Sequence, residues 1–214
     1  MTARSNLVLL AALIAGTSFY FNHWLGLTGP GEVVWKGAGV ALLALWAAMQ
    51  ARNADGWLIA LALALGALGD VLLETHGLTI GALAFLAGHL LAVLLYLHNA
   101  RRSAWLAVPI ALGVAFLAWR LPVDRDAAGG IAIYALGLGA MAGSALVSRF
   151  PLAALGAVLF VVSDLLIFAR LGPLAASPLP GLLIWPTYFA GQALIAWGVV
   201  TTMRRGDENL HDRI

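Results

Sequence analysis

Apolar residues run in long unbroken blocks along this chain, and polar positions crowd into the gaps between them. Eight blocks stand out: Leu7–Phe21, Val33–Met49, Trp57–Leu73, Leu78–Leu97, Ala104–Trp119, Gly129–Val147, Leu152–Ala169 and Gly181–Thr202. None alternates with the period of two that a barrel strand shows. Backbone amides in lipid must be satisfied within their own segment, and about 20 apolar residues cross a hydrocarbon core of about 30 Å. The blocks therefore predict eight transmembrane helices, several of them a few residues short. The loops left over are too short for a soluble domain. The pattern predicts an all-α, polytopic helical bundle in which residues 1–214 form one transmembrane domain.

Composition agrees. Hydrophobic residues make up 62% of the chain and charged residues 10%, and mean hydropathy is +0.94, against about 45–50% and about 25% in soluble domains. The absence of cysteine excludes disulfides, thiolate metal sites and cysteine nucleophiles. A pI near 9.4 would fit a nucleic-acid partner, but the net charge is only +2 and the basic residues fall at block edges. Nucleic acid is set aside.

The first block follows Arg4 as a signal peptide would, yet Ser18-Phe19-Tyr20-Phe21-Asn22-His23-Trp24 lacks a small-x-small cleavage pattern, so it reads as a helix. With eight spans both termini share a side. That side collects Arg4, Arg52, Arg101, Arg102, Arg149, Arg204, Arg205 and Arg213, against Arg120, Arg125, Arg170 and Lys36 on the other. The positive-inside rule makes both termini cytoplasmic. Short loops and tails without targeting signals point to a bacterial inner membrane.

Scarce charge makes each acid informative. Glu32, Asp55, Glu74, Asp124, Asp126, Asp207, Glu208 and Asp212 lie in loops, tails or helix ends, where solvation explains them. Asp70 and Asp164 lie inside apolar runs, where an Asp costs at least about 2.5–3.5 kcal/mol to insert. A rise of about 1.5 Å per residue puts them roughly 7 Å and 5 Å outward of their helix midpoints, at one level in the outer half of the bilayer. Lys36, Tyr134, Tyr188, Gln192 and Asn22 reach a similar level, Ser163 adjoins Asp164, and His89 sits near the middle of its helix. Singly, each has a bland reading: a snorkelling lysine, a tyrosine of the interfacial belt, a glutamine bridging helices, a core histidine. Together they predict a polar cavity open to the outer side. Gly69-Asp70-Val71-Leu72-Leu73 also resembles Ser163-Asp164-Leu165-Leu166-Ile167 four helices later, a hint of parallel duplication.

Two carboxyls buried at one level suit general acid–base work, one as protonated donor and the other as ionised partner. That division serves hydrolysis through an oxocarbenium-like state. Gly-x-Ser-x-Gly and His-Glu-x-x-His are absent, and Ser163 beside Asp164 forms no triad, because neighbours on a helix do not face each other. His89 with the two aspartates could hold a divalent ion, although the spacing does not demand one. Gly137, Gly139 and Gly143 lie in an apolar helix and read as close helix packing, not as a phosphate loop.

In these residues the chain resembles the YhhN-type family of eight-helix membrane proteins, the lysoplasmalogenases. The likeness runs from the second helix to the eighth. It rests on Lys36, Gly69-Asp70-Val71-Leu72-Leu73, Phe85-Leu86-Ala87-Gly88-His89, Tyr134 and Met141, Gly156 to Asp164, and Tyr188-Phe189-Ala190-Gly191-Gln192. Ala92 departs from it, where the family usually carries an aromatic three residues after the histidine. The resemblance implies hydrolysis of the vinyl ether bond of lysoplasmalogens to a fatty aldehyde and glycerophosphoethanolamine or glycerophosphocholine. It implies Asp70 and Asp164 as the acid–base pair and His89 as the group that orients water or an aspartate. Lys36, Tyr134, Tyr188 and Gln192, with Asn22 and Ser163, would bind the substrate, its tail running between helices into lipid. No cofactor and no metal are called for; the partners are a lysophospholipid and the bilayer. Two rivals stand beside this reading: a metal-dependent lipid hydrolase like the ceramidases, and a carrier or binding protein for a small amphiphile or ion, its aspartates relaying protons.

Overall fold

The computed structural model describes residues 2–211, with side chains described through residue 206. Asp212 and Arg213, counted among the tail charges, lie outside the described residues, as do the side chains of Asp207 and Glu208. The elements are α1 (Ala3–Phe19), the single-turn α2 (Asn22–Leu25), α3 (Pro30–Gln50), α4 (Ala54–His76), α5 (Leu78–His98), α6 (Ala107–Arg120), α7 (Arg125–Val147), α8 (Pro151–Arg170) and α9 (Leu179–His211). Among the described residues there is no strand, only an isolated antiparallel bridge between Ala100 and Ser148. The chain is an all-helical bundle.

Every predicted block falls on a helix, but the ends differ, because polar residues continue or cap a helix that hydropathy ends early. Asn53 accepts from Gly56 N at 3.0 Å and starts α4 three residues before its apolar block. Asp124 accepts from Asp126 N at 2.9 Å and starts α7 four residues early. Proline opens α3 and α8, where a missing N–H is harmless. α9 runs past its apolar block to His211. The fifth block differs most: a three-residue 3-10 turn, Ala104–Leu106, leads into the 14-residue α6. Among the described residues seven helices, α6 not among them, are long and apolar enough to cross a membrane.

Small residues bring the helices together. A Cβ on Gly156 would stand 2.5 Å from Gly191 O, and one on Gly191 would stand 2.8 Å from Gly156 O, so the backbones of α8 and α9 touch. α7 meets α6 the same way, Gly139 against Ala111 and Gly143 against Ala107, while Gly16 of α1 meets Gly39 of α3. Lipid supplies no hydrophobic drive between helices, so close backbone approach and its dispersion contacts must supply the attraction. Large apolar side chains such as Leu7, Phe116 and Ile133 point outward, as a lipid-facing surface requires.

Polar contacts pin the two ends of the bundle. At one end Asn99 donates to Asp55 Oδ2 at 2.8 Å, Arg149 N donates to Asn99 O at 3.1 Å, and the Arg149 guanidinium lies 3.8 Å from Asp55. At the other end Trp185 Nε1 donates to Gly16 O at 2.7 Å, joining the last turns of α1 to the first turns of α9.

Candidate active site

Four helices carry the acidic pair and its partners. Asp70 lies on α4 and Asp164 on α8, and both are almost completely buried, at 2% and 5% exposure. Each accepts a hydrogen bond from a tyrosine on another helix. Tyr188 of α9 donates to Asp70 Oδ2 at 2.7 Å, and Tyr134 of α7 donates to Asp164 Oδ2 at 2.6 Å. In both pairs Oδ2 takes the tyrosine, which leaves Oδ1 as the oxygen open to other contacts.

Second partners fix the tyrosines. Gln192 Nε2 donates to Tyr188 Oη at 3.4 Å, a long bond between side chains one turn apart on α9. His89 of α5 lies with Nε2 3.2 Å from Tyr134 Oη. Because the Tyr134 proton already points to Asp164, His89 must donate here, which selects its Nε2–H tautomer. Two short chains result: Gln192 to Tyr188 to Asp70, and His89 to Tyr134 to Asp164. A repeat of four helices would have put the partner of Asp70 on α3, opposite its counterpart on α7. The likeness around the two aspartates therefore does not extend to their partners.

Aromatic rings fill the space between the chains. Phe85 stands edge-on to Phe160 and Tyr188, with centroids 6.0 and 5.9 Å apart, and Phe160 stands edge-on to His89 at 5.0 Å. Ser163 donates to Ile184 O at 3.0 Å, and Thr187 donates to Leu183 O at 2.7 Å. Both carbonyls lie within three residues of Pro186, which lacks the N–H that would bond Leu182 O.

Both aspartates line one cavity of about 420 Å³, together with Lys36, Glu74, Ser163, Arg170, Trp185 and Tyr188. A second cavity of about 460 Å³, between α5, α7 and α8, is walled mainly by Leu, Ile, Ala and Phe and also reaches Asp164 and Tyr134. Phe85, Leu73, Leu78, Asp164 and Ile167 border both. A pocket of about 20 Å³ lies beside His89 and Gln192, and Ala92 forms part of its wall. The small side chain at the position that departs from the family pattern therefore sits behind the histidine, not against the carboxyls.

Of the residues singled out in the sequence, Asp70, Asp164, Tyr134, Tyr188, His89 and Gln192 form the two hydrogen-bonded chains, and Lys36 and Ser163 line the polar cavity. Lys36 is ion-paired with Glu74. Asn22 is not brought to the cavity. It closes the turn after α1, accepting from Leu27 N at 3.0 Å and donating to Leu27 O and Glu32. Glu74 and Arg170, read as edge charges, are exposed as expected and also line the cavity. Spacing carried that signal: Glu74 is one turn beyond Asp70 on α4, and Arg170 is two turns beyond Ser163 on α8. Among the described residues no three His, Cys, Asp or Glu side chains gather as metal ligands.

Apolar helices long enough to cross a bilayer, around a buried pair of tyrosine-held carboxyls, define a multi-pass membrane protein with a site inside its bundle. The model of the YhhN family matches residues 31–199, and the chain belongs to that family. Nothing among curated proteins or solved structures matches it.

The hydrogen bonds make a prediction. Tyr134→Phe keeps the ring between His89 and Phe168 but removes the donor to Asp164 and the acceptor for His89. A hydrogen bond to a carboxylate contributes about 1.5–3 kcal/mol, so turnover in the acid–base reaction proposed below is expected to fall about tenfold to a hundredfold. Steady-state kinetics on Tyr134→Phe and Tyr188→Phe check this.

Proposed function

We propose that this chain is a membrane-embedded hydrolase that cleaves the vinyl ether bond of lysoplasmalogens, releasing a fatty aldehyde and glycerophosphoethanolamine or glycerophosphocholine. The observation that carries the reading is the pair of buried carboxyls, each held by a tyrosine through Oδ2, lining a single cavity. A vinyl ether opens when an acid protonates its β-carbon, leaving an alkoxycarbenium ion. One aspartate delivers that proton; the other steadies the cation and takes a proton from the attacking water. As the hemiacetal collapses, the now-protonated aspartate gives its proton to the leaving glycerol oxygen while the now-ionised one takes the hydroxyl proton, so the C–O bond breaks to aldehyde and alcohol and the pair returns to its starting state. His89 acts through Tyr134 on Asp164, while Lys36 and Ser163 face the glycerophosphate head. Membership of the YhhN family supports the reading.

In this reading α6 completes eight spans, both termini are cytoplasmic in a bacterial inner membrane, and the polar cavity opens on the outer side.

The test is isotopic. Purified protein incubated with a lysoplasmalogen in deuterated water should yield aldehyde carrying one deuterium at the carbon next to the carbonyl. In oxygen-18 water the glycerol product should carry no label, because the bond broken lies on the vinyl side of the ether oxygen. Intact substrate, or label in the glycerol product, overturns the reading.

A further inference from the structure

The two large cavities differ in chemistry and meet at one carboxyl. The polar one has Lys36, Glu74 and Arg170 on its wall. Lys36 is engaged by Glu74, whereas Arg170 has no ion pair among the described residues and is exposed. Arg170 sits in the last turn of α8, so its five N–H donors are carried on a rigid helix six residues, about 9 Å along the axis, beyond Asp164. The apolar cavity has Leu83 and Ile133 on its wall, and both also face outward from the bundle, at 58% and 69% exposure. Its volume of about 460 Å³ lies in the range of small-molecule sites, about 300–1,000 Å³. Asp164 borders both spaces.

From this juxtaposition we infer that the site is divided: Arg170 binds the phosphate of a lysolipid in the polar cavity, the hydrocarbon tail occupies the cavity between α5, α7 and α8, and the bond joining head to tail lies at Asp164. The inference rests on the lipid-hydrolase reading for its substrate class, but it concerns seating and not chemistry. Guanidinium matches a phosphate diester in charge and in paired donor geometry. The apolar cavity reaches the outward face through Leu83 and Ile133, so a tail can enter sideways from lipid without crossing the polar mouth. On α7, Gly130 lines this cavity one turn before Tyr134, and a Cβ added there meets nothing within 4 Å. A side chain added at 130 therefore starts from open space on the wall of this cavity.

The test uses binding of saturated ether lysolipids, which protonation cannot open, through displacement of a fluorescent lysolipid in detergent. Arg170→Gln should weaken 1-O-alkyl-glycerophosphoethanolamine about tenfold or more and leave 1-O-alkylglycerol, which lacks phosphate, unchanged. Arg170→Lys should fall between. Gly130→Leu should weaken long tails while short tails bind as before. Equal loss for both head types, or no loss, overturns the phosphate seat. Loss independent of tail length, or none, overturns the tail seat, and failure of the unaltered protein to bind either ether overturns both. Binding as expected without aldehyde release from a vinyl ether would instead sink the proposed reaction and leave the seating intact.

Discussion

Asp164→Asn should reduce aldehyde release by about 10²–10⁴-fold, the usual contribution of a positioned general acid or base, and Asp70→Asn should do the same. Asparagine has nearly the shape of aspartate, and its amide oxygen can still accept the tyrosine hydrogen bond now made at 2.6 or 2.7 Å. What disappears is a group able to give up or take a proton, so the loss reads on chemistry more than on packing. If the two carboxyls work as one unit, the double variant should be little worse than either single one, because a half-complete acid–base pair is already disabled. Aldehyde release by each variant, beside its thermal unfolding in detergent, provides the check. Wild-type rates in a folded Asp164→Asn or Asp70→Asn protein would remove the acid–base pair from the mechanism.

Gly156→Leu is expected to be among the most destabilising single changes outside the site. Its Cβ would meet Gly191 O at 2.5 Å and Ile195 N at 2.8 Å, and these are backbone atoms that cannot rotate away. Overpacking of a tight core costs about 1–3 kcal/mol and occasionally more, and here the strain would push apart the helices carrying Asp164 and Tyr188. Gly113→Ala is the comparison: a Cβ there meets nothing within 4 Å, in the interior of α6. Alanine favours a helix over glycine by about 0.5–1 kcal/mol, so this variant should be unchanged or slightly more stable. Melting temperatures in the same detergent separate the two cases. If Gly156→Leu melts with the parent protein, the backbones of α8 and α9 do not stand in contact at Gly156 and Gly191.

Placement of the helices was legible because lipid demands unbroken apolar runs, and Asp70 and Asp164 stood out because the same demand makes a carboxyl there expensive. A level shared with the aspartates singles out Tyr134, Tyr188 and Gln192, and a polar ring in mid-span singles out His89. Depth does not reveal which face of a helix a residue occupies, and there the expectations and the structure part. Asn22 has the right level, yet it serves the turn after α1, since a buried amide must satisfy both its ends locally. Glu74 and Arg170 sit at helix ends, where solvent already accounts for a charge, so only their helical spacing from Asp70 and Ser163 ties them to the cavity wall. The tyrosine partnerships were beyond reach for another reason: Asp70 is joined to a residue 118 positions away, a pairing that depends on how helices stack. The short α6 reflects the same limit, because hydropathy does not separate a 3-10 turn from the helix it leads into.

For the proposed reaction, the meeting of the two cavities at Asp164 also bears on how the products would leave. With head and tail seated as inferred, cleavage at that point leaves the aldehyde in the chamber that reaches lipid past Leu83 and Ile133, and the glycerophosphate fragment in the chamber with Lys36, Glu74 and Arg170 on its wall. Each product then departs into the solvent that dissolves it. Neither has to pass the other or drag its unlike end through the wrong medium, and the site is cleared from both directions at once.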